Sequence, residues 1–353
     1  MLKKINNFKN TLFNLNKQFY TTYSSPIDLP EADIDLDSTN VSTFIQNQSS
    51  VIAKPFKNNE ILFCKVVNKT LKHETQLCRL FKLETNGIFR TKGVDIFHEH
   101  IIHKSNLYLN VSFDVGDRKI DFRRPSLYEF ISLKEQQAVS SHFSIITLVP
   151  LLLEIGKGSK VLECGTGSGS MSLFLSERIG SEGCLHTFDI SKIKAQMGKR
   201  AFMEWKYTHD LSSDEKWPAN VKFGFMDFNN DNRWCDQMGE FYDAIYLDMS
   251  ELDKGIQQAY KMLKPDGVLV VNGMHLTQIF KCLNVIEQKN LGLERELIIE
   301  PSNRLWELRK IKGSNDPLDW TARLEDRFGE KKKRGGLFFN YWQGFLAKFR
   351  KIK

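Results

Sequence analysis

The sequence predicts an α/β fold, a doubly wound sheet preceded by a small all-β domain, and three observations carry that expectation. From about residue 126, apolar runs of strand length alternate with segments whose apolar residues recur every three or four positions. One run, KVLEC, ends in the glycine-rich stretch GTGSG at 165–169 and leads directly into a helix-period segment. Over residues 55–122 the chain instead alternates short apolar runs with turn signals, and no helical period intrudes.

In chain order, residues 1–27 hold no Asp or Glu but carry Lys3, Lys4, Lys9 and Lys17. Leu2, Ile5, Phe8, Leu12, Leu15 and Phe19 recur at helical spacing and the hydroxyl-rich FYTTYSS follows, which reads as a mitochondrial transit peptide. Residues 28–54, acidic and then rich in Ser, Asn and Gln, read as a linker. Residues 55–124 form the small β domain, with ILFCKVV, CRLFKL, GIFRT, IIHKS, LYLNVSF and KIDF as strand-like runs. Residues 125–353 form the α/β domain. LYEFISL starts a helical connection, 142–155 is a mostly apolar helix and KVLEC a buried strand. SMSLFLSERI is a helix ended by Gly180. CLHTFDI, VKFGFMDF, YDAIYLDM, VLVVNGM and ELIIE continue the strands, separated by helices over 191–207, GIQQAYKML (stopped by KPDG) and 276–290. LWELRKI is a continuation or a neighbour of ELIIE.

With 353 residues and 41% apolar composition the chain can bury a sizeable core. No apolar run reaches the roughly 18–20 residues a bilayer span requires, so membrane insertion is not expected. Cysteines 64, 78, 164, 184, 235 and 282 are scattered without a CxxC pair, against a zinc site or disulfide framework and for a reducing compartment. The net charge is +7, and residues 321–353 alone hold ten Lys or Arg against three acids. A basic tail interleaved with Phe338, Phe339, Tyr341 and Trp342 suits a polyanion such as RNA; a solvated lysine loop followed by an ordinary strand gives the same pattern.

The loop carries the chemistry. Gly165, Gly167 and Gly169 let the backbone turn and approach a ligand closely, while Thr166, Ser168 and Ser170 open the helix, whose amino end offers N–H groups. Dinucleotide enzymes use a similar loop, so the acids around it decide. Glu163 precedes the first glycine, Asp189 ends the next strand, Asp227 ends the third and Asp248 the fourth. An acid at the second strand end accepts ribose hydroxyls. Four acids beside the ligand crevice suit S-adenosyl-L-methionine, a cationic sulfonium with a ribose and an adenine and no pyrophosphate to repel.

On the blocks NGIFRTKGVDIFHEHIIHK, DFRRPSLYEFISL, VLECGTGSGSMSLFLSERIGSEG, EKWPANVKF, YDAIYLDM, and RLWELRKI with GFLAKFRKI as a terminal strand pair, the chain resembles the tRNA (adenine-58, N1) methyltransferase family. It is most similar to the catalytic subunits of the mitochondrial single-subunit branch, from about Asn59 to the C-terminus. The resemblance implies a class I methyltransferase fold, Rossmann-like with an antiparallel last strand, and an insertion at 313–340. It further implies methyl transfer from S-adenosyl-L-methionine to adenine N1 of mitochondrial tRNA, with Asp248 holding the base. Arg123, Arg124, Arg304, Trp306, Lys331, Lys332, Lys333 and Arg334 are candidate RNA contacts. The assembly it implies is a homotetramer, or a heterotetramer with a non-catalytic paralogue. The sequence departs from the family where Met249-Ser250-Glu251 follow Asp248, where Pro-Lys-Asp is missing within 138–144, and where Lys194 replaces a histidine. These departures motivate an alternative, an RNA-binding or ribosome-assembly paralogue that keeps the fold without full activity.

Overall fold

Three small antiparallel sheets and one mostly parallel sheet organise the described residues of the computed structural model, which are 54–68, 76–91, 93–105, 110–134, 143–301, 306–310, 320–324 and 344–352. The transit-peptide reading, the linker up to residue 53, and most of segment 138–144 lie outside the described residues.

The N-terminal part begins with β1 (Ile61–Asn68) and β2 (Gln76–Lys82), followed by the hairpin β3 (Ile88–Thr91) and β4 (Val94–Phe97). Helix α1 (His98–Ser105) follows, then β5 (Val111–Val115) and β6 (Arg118–Arg123). Strands β2-β1-β6-β5 form one antiparallel sheet over a core of Leu62, Cys64, Ile101, Ile120 and Phe122. The expectation of an all-β segment is corrected by α1. HEHIIHKS spans barely two turns and its paired isoleucines imitate a strand, but Ile101 and Ser105, one turn apart, point into the core together. Helix α2 (Leu127–Leu133) is set by a capping box in which Ser126 and Glu129 satisfy each other's backbone N–H. Its Phe130 and Ile131 join the core of the larger sheet, against which Ile61 and Leu80 also pack.

The larger part begins with the apolar helix α3 (Phe143–Leu152), which continues through Pro150. Next come β7 (Lys160–Cys164), α4 (Ser170–Ile179), β8 (Cys184–Asp189), α5 (Lys192–Ser212) and β9 (Val221–Phe225). After these are α6 (Arg233–Met238), β10 (Tyr242–Leu247), α7 (Leu252–Met262), β11 (Leu263–Gly273), α8 (Leu276–Gln288) and β12 (Leu293–Ile299). The chain ends with β13 (Trp306–Lys310), β14 (Trp320–Leu324) and β15 (Phe345–Lys351). Seven strands form one sheet in the order β12-β15-β11-β10-β7-β8-β9. Strands β7, β8, β9, β10 and β11 run parallel, while β15 lies antiparallel between β11 and β12. Val161, Leu162, Ile245, Leu247, Leu269 and Val271 are fully buried, as parallel strands covered on both faces require.

Three details differ from the sequence reading. KPDG does not lie between α7 and β11. It forms an irregular start of β11, where the pairing jumps from Tyr242–Leu263 to Ala244–Val268 and Asp266 adopts φ +65°. LWELRKI neither continues β12 nor pairs with GFLAKFRKI: β13 pairs with β14, inside the expected 313–340 insertion, and β15 pairs with β11 and β12. Finally, the tail's positive charge is partly internal. Lys348, 8% exposed, meets Glu154 and Glu296; Arg350 meets the same two acids, and Lys351 bonds Glu240 with the carbonyls of Tyr260 and Leu263.

Candidate active site

The chain runs outward from β7 to β9 and returns to β10, so strand order reverses between β7 and β10 and leaves a crevice beyond their carboxyl ends. Gly165 leaves β7 with φ +104°, and a Cβ there would stand 2.0 Å from the Asp248 carbonyl oxygen. Glycine is what lets the two strand ends touch. The Asp248 N–H donates to the Cys164 carbonyl at 2.8 Å, which locks residue 248 beside the turn. At the other end of the loop Gly169, with φ +79°, brings α4 against α5: a Cβ would lie 2.7 Å from the Gly198 carbonyl oxygen.

The loop's first N–H groups, expected to face a ligand, turn inward. Gly165 and Thr166 both donate to the Phe188 carbonyl, at 2.8 and 3.1 Å, and Gly167 donates to Asp189 Oδ2 at 2.9 Å. Asp189 Oδ1 accepts from Ser191 N–H at 2.8 Å, so the carboxylate is fixed by the loop on one side and the start of α5 on the other. Asp227 lies two residues past the end of β9 rather than in the strand. There Asn229 N–H and Asn230 Nδ2 hold it at 3.1 and 2.8 Å.

These groups share one cavity of about 480 Å³, a volume usual for small-molecule sites. Gly165, Asp189, Asp227 and Asp248 line it, together with Lys194, Met226, Phe228, Asn272, Met274 and Gln278. Glu163 and the residues Thr166, Gly167, Ser168, Gly169 and Ser170 do not. The expectation that Glu163 faces the ligand is corrected: it is 0% exposed, beneath the loop, where Ser172 Oγ of α4 donates to its Oε2. Burial pushes its carboxyl up to about 8, reinforced by repulsion from Asp248 and Asp189, so it is mostly neutral at pH 7. Thr166 pairs with Thr187 at 2.7 Å and Ser168 with Ser170 at 2.8 Å, so these hydroxyls shape the turn from within.

Asp248 is half-buried at the cavity wall. Burial pushes its carboxyl up to about 6, aided by the negative charge of Asp189 and opposed by hydrogen bonds from Asn272 and Tyr246 and by the charge of Lys194. The Tyr246 hydroxyl donates to Oδ2 at 3.3 Å. Asn272, 7% exposed, keeps its buried Oδ1 without a protein partner. The sequence reading missed Tyr246 and Asn272. Asn272 carries a legible signal, a polar residue ending the apolar run VLVV at the carboxyl end of the strand beside β10.

The residues present fit a sulfonium nucleoside. Strand-end acids match its positive charge and ribose, Gly165 supplies close approach, and Asn272 Oδ1 is an unused acceptor in the wall. Asp189, Asp227 and the Gly165 turn are the groups that would hold it.

Of the expected RNA contacts, Arg123 and Arg124 are corrected. Arg123 forms a two-pronged pair with Glu129 and lies 4.1 Å from the Phe63 ring centroid. Arg124 pairs with the fully buried Glu60, just before β1, so both guanidiniums are engaged by acids of the N-terminal part. Arg304, Lys331, Lys332, Lys333 and Arg334 lie outside the described residues, as does the Trp306 side chain. Among the described residues, no helix is long and apolar enough to cross a membrane.

A glycine turn at the strand-order reversal, acids at the ends of the parallel strands and an antiparallel strand between the last two define a class I methyltransferase fold. An S-adenosylmethionine-dependent O-methyltransferase of Thermotoga maritima shares that fold with a TM-score of 0.65 at 16% identity, covering 86% of this chain and 97% of that one. The tRNA (m1A58) methyltransferase TrmI of Aquifex aeolicus gives 0.58 at 21% identity, covering 85% and 100%. TrmI of Thermus thermophilus, a tRNA (adenine(58)-N(1))-methyltransferase, is 27% identical over 232 residues, 63% of this chain and 83% of that protein. The family described as tRNA methyltransferase complex GCD14 subunit matches residues 122–334, more than half of the chain, and the chain belongs to that family.

Proposed function

We propose that this protein transfers a methyl group from S-adenosyl-L-methionine to N1 of adenine 58 in mitochondrial tRNA. The observation that carries the reading is Asp248, its backbone carbonyl against the Gly165 turn and the residue lining the same cavity as Asp189 and Asp227. S-adenosyl-L-methionine, held by Asp189, Asp227 and the Gly165 turn, would supply an electrophilic methyl group and would leave as the neutral thioether, which keeps the electron pair of the broken bond. Adenine N1 attacks with an in-plane lone pair, so no residue has to remove a proton first. N1 becomes positively charged, and the exocyclic amino group becomes a stronger donor. Asp248 accepts from that amino group, holds the base in line and stabilises the developing charge. Tyr246 and Asn272 fix the orientation of the carboxylate. The base must leave its stack to reach this position.

Family membership, the Thermus relative's activity and the cavity's acids support the reaction and the substrate. The acid-free amphipathic start supports the organelle. The tetramer rests on the resemblance alone. Purified full-length protein with S-adenosyl-L-methionine and unmodified tRNA transcript is expected to yield 1-methyladenosine by nucleoside mass spectrometry, and Asp248→Ala to lower turnover by at least about a hundredfold. Turnover retained in that variant would reject the role of Asp248. A wild type that binds cofactor and RNA without turnover would favour the silent paralogue.

A further inference from the structure

Asn272 comes level with Asp248 in the sheet. Strand β10 pairs in parallel with β11, Tyr246 beside Val270 and Leu247 beside Val271, so the next residues along, Asp248 and Asn272, stand side by side on one face. Both line the cavity. Asn272 is 7% exposed, and its Oδ1 is buried without a hydrogen-bond partner among the described residues. Buried acceptors are nearly always satisfied, so this one calls for a donor. Its neighbours supply none. Gly344, just before β15, comes close enough that a Cβ there would stand 3.4 Å from Oδ1, but it has no side chain. The Tyr246 hydroxyl donates to Asp248. Gln278, also in the wall, uses both ends of its own amide, Nε2 on the Ser250 carbonyl and Oε1 on the His275 N–H.

The donor therefore arrives with a ligand. Asp189 and Asp227, which suit the cofactor, follow β8 and β9 on one side of β7, whereas Asp248 and Asn272 stand at the ends of β10 and β11 on the other. We propose that Asn272 Oδ1 accepts one N–H of the exocyclic amino group of the target base while Asp248 accepts the other; this rests on the adenine reading above. Two acceptors that each take one N–H of an amino group at about 2.9 Å stand about 5 Å apart, which matches the spacing of about 4.8 Å between neighbouring strands. The pair makes the site selective. A 6-oxo purine would turn an acceptor toward two acceptors, and a purine with no substituent at that carbon would leave Oδ1 as unmatched as it is in the free protein. Asn272 is thus a specificity-determining residue as well as a support for Asp248.

The test compares full-length wild type with Asn272→Leu and Asn272→Asp on tRNA transcripts that carry either adenine or unsubstituted purine at position 58. The ratio of kcat/KM for the two substrates reads the amino-group contacts, because the intrinsic difference in N1 reactivity is common to every variant. Asn272→Leu is expected to keep its melting temperature and its cofactor affinity by calorimetry, and to lower the preference for adenine about tenfold. Asn272→Ala repeats the comparison without the branched side chain, should Asn272→Leu not fold. Asn272→Asp keeps an acceptor but loses the amide N–H that supports Asp248, so it should retain the preference while the acid limb of its pH profile moves up. An unchanged preference in Asn272→Leu would overturn the proposal. Equal loss in the Leu and Asp variants would do the same, since Asn272 would then act only through Asp248. So would a loss confined to cofactor affinity, which would give Oδ1 to the cofactor's ammonium. A wild type that methylates no tRNA would instead overturn the adenine reading.

Discussion

Two carboxyl groups beside the glycine turn end in opposite charge states because their surroundings differ. Asp248 opens onto the cavity and has two hydrogen-bond donors, so it ionises at about 6 and is available as an acceptor at neutral pH. Glu163 is sealed beneath the loop, where burial and two nearby acids outweigh the hydroxyls of Ser172 and Thr187, and holds its proton up to about 8. The sign of its effect on stability follows. Between 4.5, the ordinary value, and about 8, the folded protein keeps a proton that the unfolded chain has released, so stability falls as pH rises through that window. The limiting slope is about 1.4 kcal/mol per pH unit. Glu163→Gln preserves the shape and the Ser172 contact but cannot ionise. Its melting temperature relative to wild type is expected to climb steadily from pH 5 to pH 8; parallel curves would show that Glu163 is already ionised in the fold.

Among the elements, the turn after β7 has least tolerance for change. Gly165→Ala places a Cβ 2.0 Å from the Asp248 carbonyl in a left-handed conformation. The strand ends must separate, at a cost of about 1–3 kcal/mol. We expect a lower melting temperature and weaker cofactor binding by calorimetry; an unaltered melting curve would mean that β10 can retreat without strain. The parallel strands, the glycine turn and Asp248 were legible because strand period, helix period and glycine signals agree there. Other elements were not. HEHIIHKS is too short to show its period, and the β13–β14 pairing depends on chain within an insertion. The acids that neutralise β15 come from Glu154, Glu240 and Glu296, all remote from it in sequence, so a run that reads as a basic surface is partly an internal ion-pair cluster. Arg123 and Arg124 misread for the same reason: their partners Glu129 and Glu60 become visible only when β1, β6 and α2 meet.

Across the whole molecule, the structure separates two tasks that composition runs together. Charge pairing among Lys348, Arg350, Lys351 and their acids holds the far edge of the sheet, while carboxylates held by neutral donors gather at the strand-order reversal. The N-terminal sheet joins the larger part through Ile61, Leu80 and Phe130, which pack into the core of the larger sheet. The account depends on the cavity at the reversal being the seat of a cationic nucleoside. Calorimetric titration of S-adenosyl-L-methionine into the full-length protein, wild type against Asp189→Ala, tests this most directly. Saturable one-to-one binding is expected in the wild type, weakened at least about tenfold in the variant by loss of the ribose contact. Equal affinity in the two proteins, or no binding to the wild type, would contradict it.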